Sequence, residues 1–182
     1  NHIISGLFYD DVSVAARANV FGRVFEGAVK NLGIVDSYFS GYYAGALSTS
    51  VYNSEITNCY SESVVFGNGL YTAGLIAEAY ESEVRNCYNL GKVNGSTYVG
   101  GVVAYGSYTT IENCYNKGNV AGSNVVGGVV GRATYSSEVK NSYNTGVVTG
   151  EQQSGVVSQL LRDSGVSNCY YLEGTADYGV YE

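Results

Sequence analysis

The sequence contains no proline, methionine or tryptophan, and its one histidine is His2. A single histidine excludes Ser-His-Asp and Cys-His nucleophile pairs within the chain, and every zinc site that needs two histidines. No apolar run approaches the roughly 20 residues that cross a bilayer as a helix, so membrane insertion is not expected. A glycine-rich phosphate loop ending in Lys and Ser/Thr is also missing. We therefore predict no catalytic residue, no metal site and no cofactor.

Positive charge is scarce in this chain of 182 residues. Nine Lys and Arg oppose sixteen Asp and Glu, which gives a formal net charge of -7. Nucleic acids attract clustered positive charge, so nucleic acid is not an expected partner. Charged residues make up 14% of the chain, below the usual quarter, and hydrophobic residues make up 45%. This balance predicts an ordered domain in spite of 25 glycines.

A repeat of 27 or 28 residues dominates the sequence. Its clearest motif is a β-branched residue, a variable residue, and then Asn-Cys-Tyr. Each unit contains three β-like pieces separated by Gly, Asn and Ser, which in the third unit are 84–88, 92–94 and 98–105. Short strands at a constant period predict an all-β fold, a right-handed parallel β-helix of about six to seven coils with three short strands per coil.

The repeat also predicts the domain organisation. We expect a single solenoid domain over 1–182, with an atypical first coil at 4–28, five regular coils at 29–165 and a partial last coil at 166–182. Terminal repeats are commonly atypical because an open strand edge invites aggregation. The partial last unit and the missing initiator methionine predict a fragment of a longer protein.

Equivalent positions in successive coils should lie above one another. Two apolar columns are expected to point into the core. The first column is Val29, Ile56, Val84, Ile111, Val139 and Val166. The second column, after a glycine slot at Gly45, Gly74, Gly101, Gly128 and Gly155, is Val24, Leu47, Ile76, Val103, Val130 and Val157.

Two further columns carry polar or reactive groups. One is an asparagine column, for which a hydrogen-bonded structural ladder at a bend is favoured over a polar binding strip; it comprises Asn31, Asn58, Asn86, Asn113, Asn141 and Asn168. The next slot holds cysteines, for which buried free thiols are favoured over disulfides because Leu32 occupies the same slot; they are Cys59, Cys87, Cys114 and Cys169.

A tyrosine column follows the cysteines directly. Stacked aromatic rings stabilise a solenoid face, and sugar rings also pack on aromatic rings. A structural stack is therefore the favoured interpretation, and this column is the first candidate if the solenoid has a ligand-facing surface. Its members are Tyr60, Tyr88, Tyr115, Tyr143 and Tyr170.

The units resemble the GLUG-motif repeats of bacterial cell-surface proteins. The fourth unit is the nearest to the pattern, with Ile111-Glu-Asn-Cys-Tyr-Asn-Lys-Gly-Asn-Val followed by Val126-Gly-Gly-Val-Val-Gly. Ser142 in place of cysteine and Ser154-Gly-Val-Val-Ser in place of the glycine pair are departures in the fifth unit. The resemblance implies a β-solenoid of the kind that occurs in adhesin-like proteins and in non-catalytic parts of immunoglobulin-A-cleaving peptidases.

These observations predict a non-enzymatic, secreted domain at a bacterial cell surface, acting in adhesion or as a structural stalk. Its partner would be a host or matrix protein or a glycan. A carbohydrate-binding or carbohydrate-active β-helix is one alternative, although the recurring Glu55, Glu83 and Glu138 do not form an unbroken carboxylate column. An auxiliary domain of a large surface peptidase is the other alternative.

Overall fold

The fold is a parallel β-solenoid. In this computed structural model, residues 2–180 are described, and all of their regular secondary structure is β-strand. Among these residues there is accordingly no helix with the length and hydrophobicity to cross a membrane. The predicted fold class is confirmed as an all-β chain of about six parallel turns.

The strands are short and follow one another around each coil. The first three coils contain β1 (His2–Ser5), β2 (Phe8–Asp10), β3 (Arg17–Ala18), β4 (Arg23–Phe25), β5 (Ala28–Lys30), β6 (Leu32–Gly41), β7 (Tyr43–Gly45), β8 (Ser50–Tyr52), β9 (Glu55–Thr57), β10 (Tyr60–Gly67), β11 (Tyr71–Ala73), β12 (Ile76–Tyr80) and β13 (Glu83–Arg85). The remaining coils contain β14 (Tyr88–Asn89), β15 (Val93–Asn94), β16 (Tyr98–Gly100), β17 (Val103–Ser107), β18 (Thr110–Glu112), β19 (Tyr115–Asn116), β20 (Val120–Ala121), β21 (Val125–Gly127), β22 (Val130–Thr134), β23 (Glu138–Lys140), β24 (Tyr143–Asn144), β25 (Val148–Thr149), β26 (Gln152–Ser154), β27 (Val157–Leu160), β28 (Gly165–Ser167) and β29 (Tyr170–Tyr171).

Four parallel sheets run along the solenoid. Sheet 1 has eleven strands, because it includes β1 and β2, the long β6 and β10, two short strands from each of the next three coils, and β29. Sheet 2 joins β3, β7, β11, β16, β21 and β26; sheet 3 joins β4, β8, β12, β17, β22 and β27; and sheet 4 joins β5, β9, β13, β18, β23 and β28. At about 4.8 Å per coil, six coils extend for roughly 30 Å.

Corners subdivide two of the three predicted β-pieces of a coil. The piece from 84 to 88 becomes β13 and β14, separated at Asn86, whose φ is 53°. The piece from 98 to 105 becomes β16 and β17, separated at Gly101. Asparagine suits the first corner because it adopts a left-handed backbone more readily than most residues.

The predicted vertical register is correct over most of the chain. Val84 pairs with Ile111 on the next coil, and Tyr88 pairs with Tyr115. The first apolar column continues without a break from Val29 to Val166. The repeat period therefore gave the register of sheet 4 directly.

The second apolar column was wrong at its first two members. Ile76 pairs with Ser48, not with Leu47. Gly45 pairs with Ala73 and not with the glycine of the next unit, Gly74, so the second coil is offset by one position at this corner. Val24 belongs to a different column, in which it pairs with Val51. Leu47 is nevertheless fully buried, because the displaced corner still directs its side chain into the core.

The interior contains two separate hydrophobic clusters. The larger cluster lies inside sheets 1, 3 and 4 and holds both apolar columns. The smaller cluster is enclosed by the second part of sheet 1 and by sheet 2, and its buried members are Val93, Val99, Val120, Val126 and Val148. From Val93 onwards each coil thus has a main lobe and a narrow lobe, whereas Phe39 and Val65, which occupy the same column in the earlier coils, belong to the larger cluster. The junction between the lobes shapes the outer surface described below.

Candidate binding surface

The predicted tyrosine column forms a stack on the outside of sheet 1. Ring centroids are 4.8 Å apart for Tyr60 and Tyr88, 4.6 Å for Tyr88 and Tyr115, and 5.0 Å for Tyr115 and Tyr143, with planes within 7° of parallel. The rings therefore cover one another's faces. Tyr170 lies on the last coil and is 70% exposed. Ligand contact by this column stays a prediction.

The predicted asparagine column lies exposed at the corner between sheets 4 and 1. All six members have φ between 48° and 59°. This left-handed backbone conformation favours asparagine or glycine at the corner. Side-chain amides bond between coils from Asn58 to Asn31, from Asn86 to Asn58 and from Asn168 to Asn141, at 3.0 to 3.2 Å. The Asn141 amide instead donates to the Glu112 carboxylate, so the ladder is interrupted at the middle coils.

The four cysteines are free, and three of them are buried in the main lobe. Their thiols donate to backbone carbonyls, as Cys87 does to the Arg85 carbonyl at 3.2 Å. The side-chain hydrogen bond with Cys87, followed by burial, raises the pKa of the Cys59 thiol, and Cys114 does the same for Cys87. Because the thiolate is the reactive form, Cys59 and Cys87 are chemically unreactive in the folded chain.

A second asparagine ladder, not predicted from the sequence, lies between the two lobes. Asn89, Asn116 and Asn144 are fully buried. The Asn89 amide donates to the Asn116 side-chain oxygen at 2.8 Å, and the Asn116 amide donates to the Asn144 side-chain oxygen at 2.7 Å. Each also donates to the backbone carbonyl two residues ahead, as Asn116 does to Gly118 at 2.7 Å. The sequence contained a signal for this ladder, because side chains alternate along a strand, so the residues before and after an outward tyrosine both point inward.

Glycine is required where this buried ladder meets the corner between sheets 2 and 3. A Cβ on Gly101 would lie 2.5 Å from the Asn116 side chain and 2.0 Å from the Gly128 carbonyl oxygen. The same close approach recurs at Gly74 and Gly128. The glycine slot therefore brings sheets 2 and 3 together at an inward corner of the coil.

On the outside of this corner, side chains of sheets 2 and 3 face each other. We call this surface the tyrosine valley, and it has one column from each sheet. The sheet 2 column is Arg17, Tyr43, Tyr71, Tyr98, Val125 and Gln152. The sheet 3 column is Arg23, Ser50, Glu78, Tyr105, Arg132 and Gln159.

Contacts across the valley confirm that the two columns meet. The Tyr71 and Tyr105 rings are 5.1 Å apart between centroids, and the Arg132 Nη1 atom donates to the Tyr98 hydroxyl at 2.7 Å. At the C-terminal end, the Gln159 amide donates to Gln152 at 2.7 Å. Guanidinium groups also lie over two rings, Arg17 over Tyr43 at 4.8 Å and Arg132 over Tyr98 at 5.3 Å.

Burial alters the titration of the groups in the valley floor. Burial, and then the negative charge of Glu78, raises the pKa of Tyr71 to about 12. Burial also raises the pKa of Glu78, while the positive charges of Arg17 and Arg23 oppose that shift. The floor is thus partly shielded from water, and its electrostatic interactions are stronger than on an open face.

An acidic hollow lies on a different surface, at the corner between sheets 3 and 4. It has a volume of about 690 Å³ and is lined by Glu26, Glu55, Glu81 and Glu83, among others. The Lys30 ammonium lies 2.6 Å from the Glu55 carboxylate, and the Arg85 guanidinium lies 3.1 Å from Glu83. Within residues 2–180, no group of three or more potential ligands has the arrangement of a metal site.

Comparison with known proteins agrees with the fold. Residues 95–121 and 122–149 each match the GLUG motif. A search of the curated proteins gives no match to this sequence. Two solved structures are similar in three dimensions. One is a crystal structure of a candidate immunoglobulin A1 protease from Bacteroides ovatus, with a TM-score of 0.72, 23% identity, and coverage of 94% of this chain and 58% of that one.

The other similar structure is named IgA1 Protease, with a TM-score of 0.51 and 15% identity. The similarity covers 85% of this chain and 16% of that one. At these identities the likeness concerns the fold alone. In both cases the solenoid spans only part of a longer chain.

Proposed function

We propose that this β-solenoid, whose central coils are GLUG-motif repeats, is a rigid non-catalytic segment of a larger protein at a bacterial cell surface. The observation that carries the proposal is the unbroken pairing of coils. Sheet 4 keeps one register from β5 to β28, and its inward column is apolar throughout. Such a stack forms a stiff rod whose length increases with the number of coils, because each coil bonds only to its neighbours.

The repeated surface also supports a non-catalytic role. Successive coils present the same tyrosine and the same corner asparagine, whereas catalysis needs one distinct set of groups at one place. The carboxylates that recur beside sheet 4 are engaged in ion pairs, as Glu55 is with Lys30 and Glu138 is with Lys140. Adhesion, or presentation of an adhesive tip, follows as the role of such a segment.

A change in coil number tests this proposal. Deletion of residues 95–149 removes two whole coils and keeps the register, because Asn94, Ala121 and Thr149 occupy one column. Duplication of the same segment is the matched control. Small-angle scattering should show the maximum dimension shortened by about 10 Å in the first variant and lengthened by about 10 Å in the second. Loss of the fold in both variants would contradict a modular spacer.

A second candidate function is an auxiliary domain of a surface peptidase. The names of the two similar structures favour it, as does the partial coverage of those chains. The full-length parent protein decides between the two functions. A His-Glu-x-x-His motif outside this segment, with peptide cleavage that survives removal of two coils, supports the peptidase assignment. A parent without cleavage activity supports the spacer alone.

A further inference from the structure

The tyrosine valley differs from the other columns of the solenoid in composition. The outer asparagine column repeats one residue type, whereas the sheet 3 column of the valley changes residue at every coil. It also holds three of the nine basic residues of the chain, Arg17, Arg23 and Arg132, facing one glutamate, Glu78. On a chain with a net charge of -7, the valley is thus a local positive surface.

The arginines of the valley are held with hydrogen-bonding capacity to spare. Among the described residues, Arg132 uses only Nη1, which donates to the Tyr98 hydroxyl. Arg17 uses Nη1 for Thr49 at 3.4 Å and stacks over Tyr43. A guanidinium fixed on a ring keeps its planar donors in place, so less entropy is lost when it binds a carboxylate.

The geometry of the valley fits a polymer better than a small molecule. Four coil spacings of about 4.8 Å place the two arginine-bearing ends roughly 20 Å apart, with tyrosines between them. The coil spacing is close to the length of one pyranose unit in an extended chain. Aromatic rings pack against sugar faces, and arginine forks pair with carboxylates. Tyr71, Tyr98 and Tyr105 form the aromatic part of this floor.

We propose that the tyrosine valley binds an extended acidic polysaccharide, with Arg17, Arg23 and Arg132 pairing its carboxylates and the tyrosines supporting its sugar rings. This site goes beyond the spacer function and does not depend on it. A protein without glycan affinity could still be a spacer, and the scattering experiment on coil number reports on that role separately.

Calorimetric titration of the whole chain tests the proposal with two acidic probes, a hyaluronan octasaccharide and a hexamer of galacturonic acid. Chitohexaose serves as a neutral sugar and poly-L-glutamate as an anion without sugar rings. At least one acidic oligosaccharide should bind, and it should bind about tenfold or more tightly than either control. Binding should weaken as salt is added.

Arg132→Gln should reduce the affinity about tenfold or more, since a hydrogen bond to a charged group is removed. Arg162→Gln is the matched control, because Arg162 also lies over a tyrosine, Tyr135, at 4.7 Å, but outside the valley. Arg17→Gln at the opposite end is the second variant if Arg132→Gln does not fold. Absence of binding to both acidic probes, equal binding of poly-L-glutamate, or equal effects of Arg132→Gln and Arg162→Gln would overturn the proposal.

Discussion

The buried asparagine ladder should be a major source of stability, and Asn116→Ala measures it. The Asn116 side chain donates to the Gly118 carbonyl and to Asn144, both at 2.7 Å, and accepts from Asn89 at 2.8 Å. Three buried hydrogen bonds are lost in the variant, and the Gly118 carbonyl is left without this donor. At about 1 kcal/mol for each bond, and more for an orphaned buried group, the loss should reach about 3–5 kcal/mol.

Asn113→Ala is the matched control, because Asn113 lies in the same coil three residues earlier but is exposed. Its φ of 54° makes alanine mildly unfavourable, at a cost of about 1 kcal/mol. Urea unfolding followed by tyrosine fluorescence suits this chain, which has 19 tyrosines and no tryptophan. The reasoning fails if the two variants differ by less than about 1 kcal/mol.

Three further predictions concern the core, the thiols and the valley. Val103→Ala should lower the free energy of unfolding by about 2–4 kcal/mol, because Val103 is fully buried in the second apolar column. A free energy of unfolding, measured in urea, within about 0.5 kcal/mol of the parent would contradict this burial. Alkylation of the native protein should modify Cys169 first and leave the three buried cysteines unmodified until the protein unfolds. If mass spectrometry finds Cys87 labelled at the same rate as Cys169, the conclusion that the buried Cys87 thiol is unreactive is wrong. The free energy of unfolding should fall as the pH rises from about 10 towards 12, because the raised pKa of Tyr71 favours the neutral phenol in the folded state. Tyr71→Phe should reduce this fall in a plot of stability against pH. An unchanged alkaline transition in the variant would show that Tyr71 does not cause it.

The repeat alone was sufficient for the fold and for most of the register. A constant period puts like residues above like, so the pairing of Val84 with Ile111 follows from counting. Counting failed where the corner of the second coil is displaced, because Gly45 and Leu47 resemble the repeat in sequence but lie one position away from it. Only the hydrogen bonds between coils fix that position.

The sequence was less informative about which columns face water and which face each other. Asn58 and Asn89 are both recurring asparagines, yet one column is exposed at a left-handed corner and the other is fully buried. Alternation around the tyrosine distinguishes them, since Asn89 lies on the inward side of Tyr88 together with Cys87. The facing of sheets 2 and 3 could not be predicted in this way, because it depends on the inward corner that Gly101 permits.

A search for identical residues in successive repeats finds the parts of a solenoid that hold it together. Columns such as the stacked tyrosines and the two asparagine ladders repeat because every coil must satisfy the same backbone and the same neighbours. A site that recognises one ligand needs different groups at different heights, as in the succession of Glu78, Tyr105, Arg132 and Gln159 along sheet 3. Stacking alone does not require that succession. In a protein built from near-identical coils, the column that departs from the repeat while its side chains stay half-buried and in mutual contact is therefore the better place to look for function.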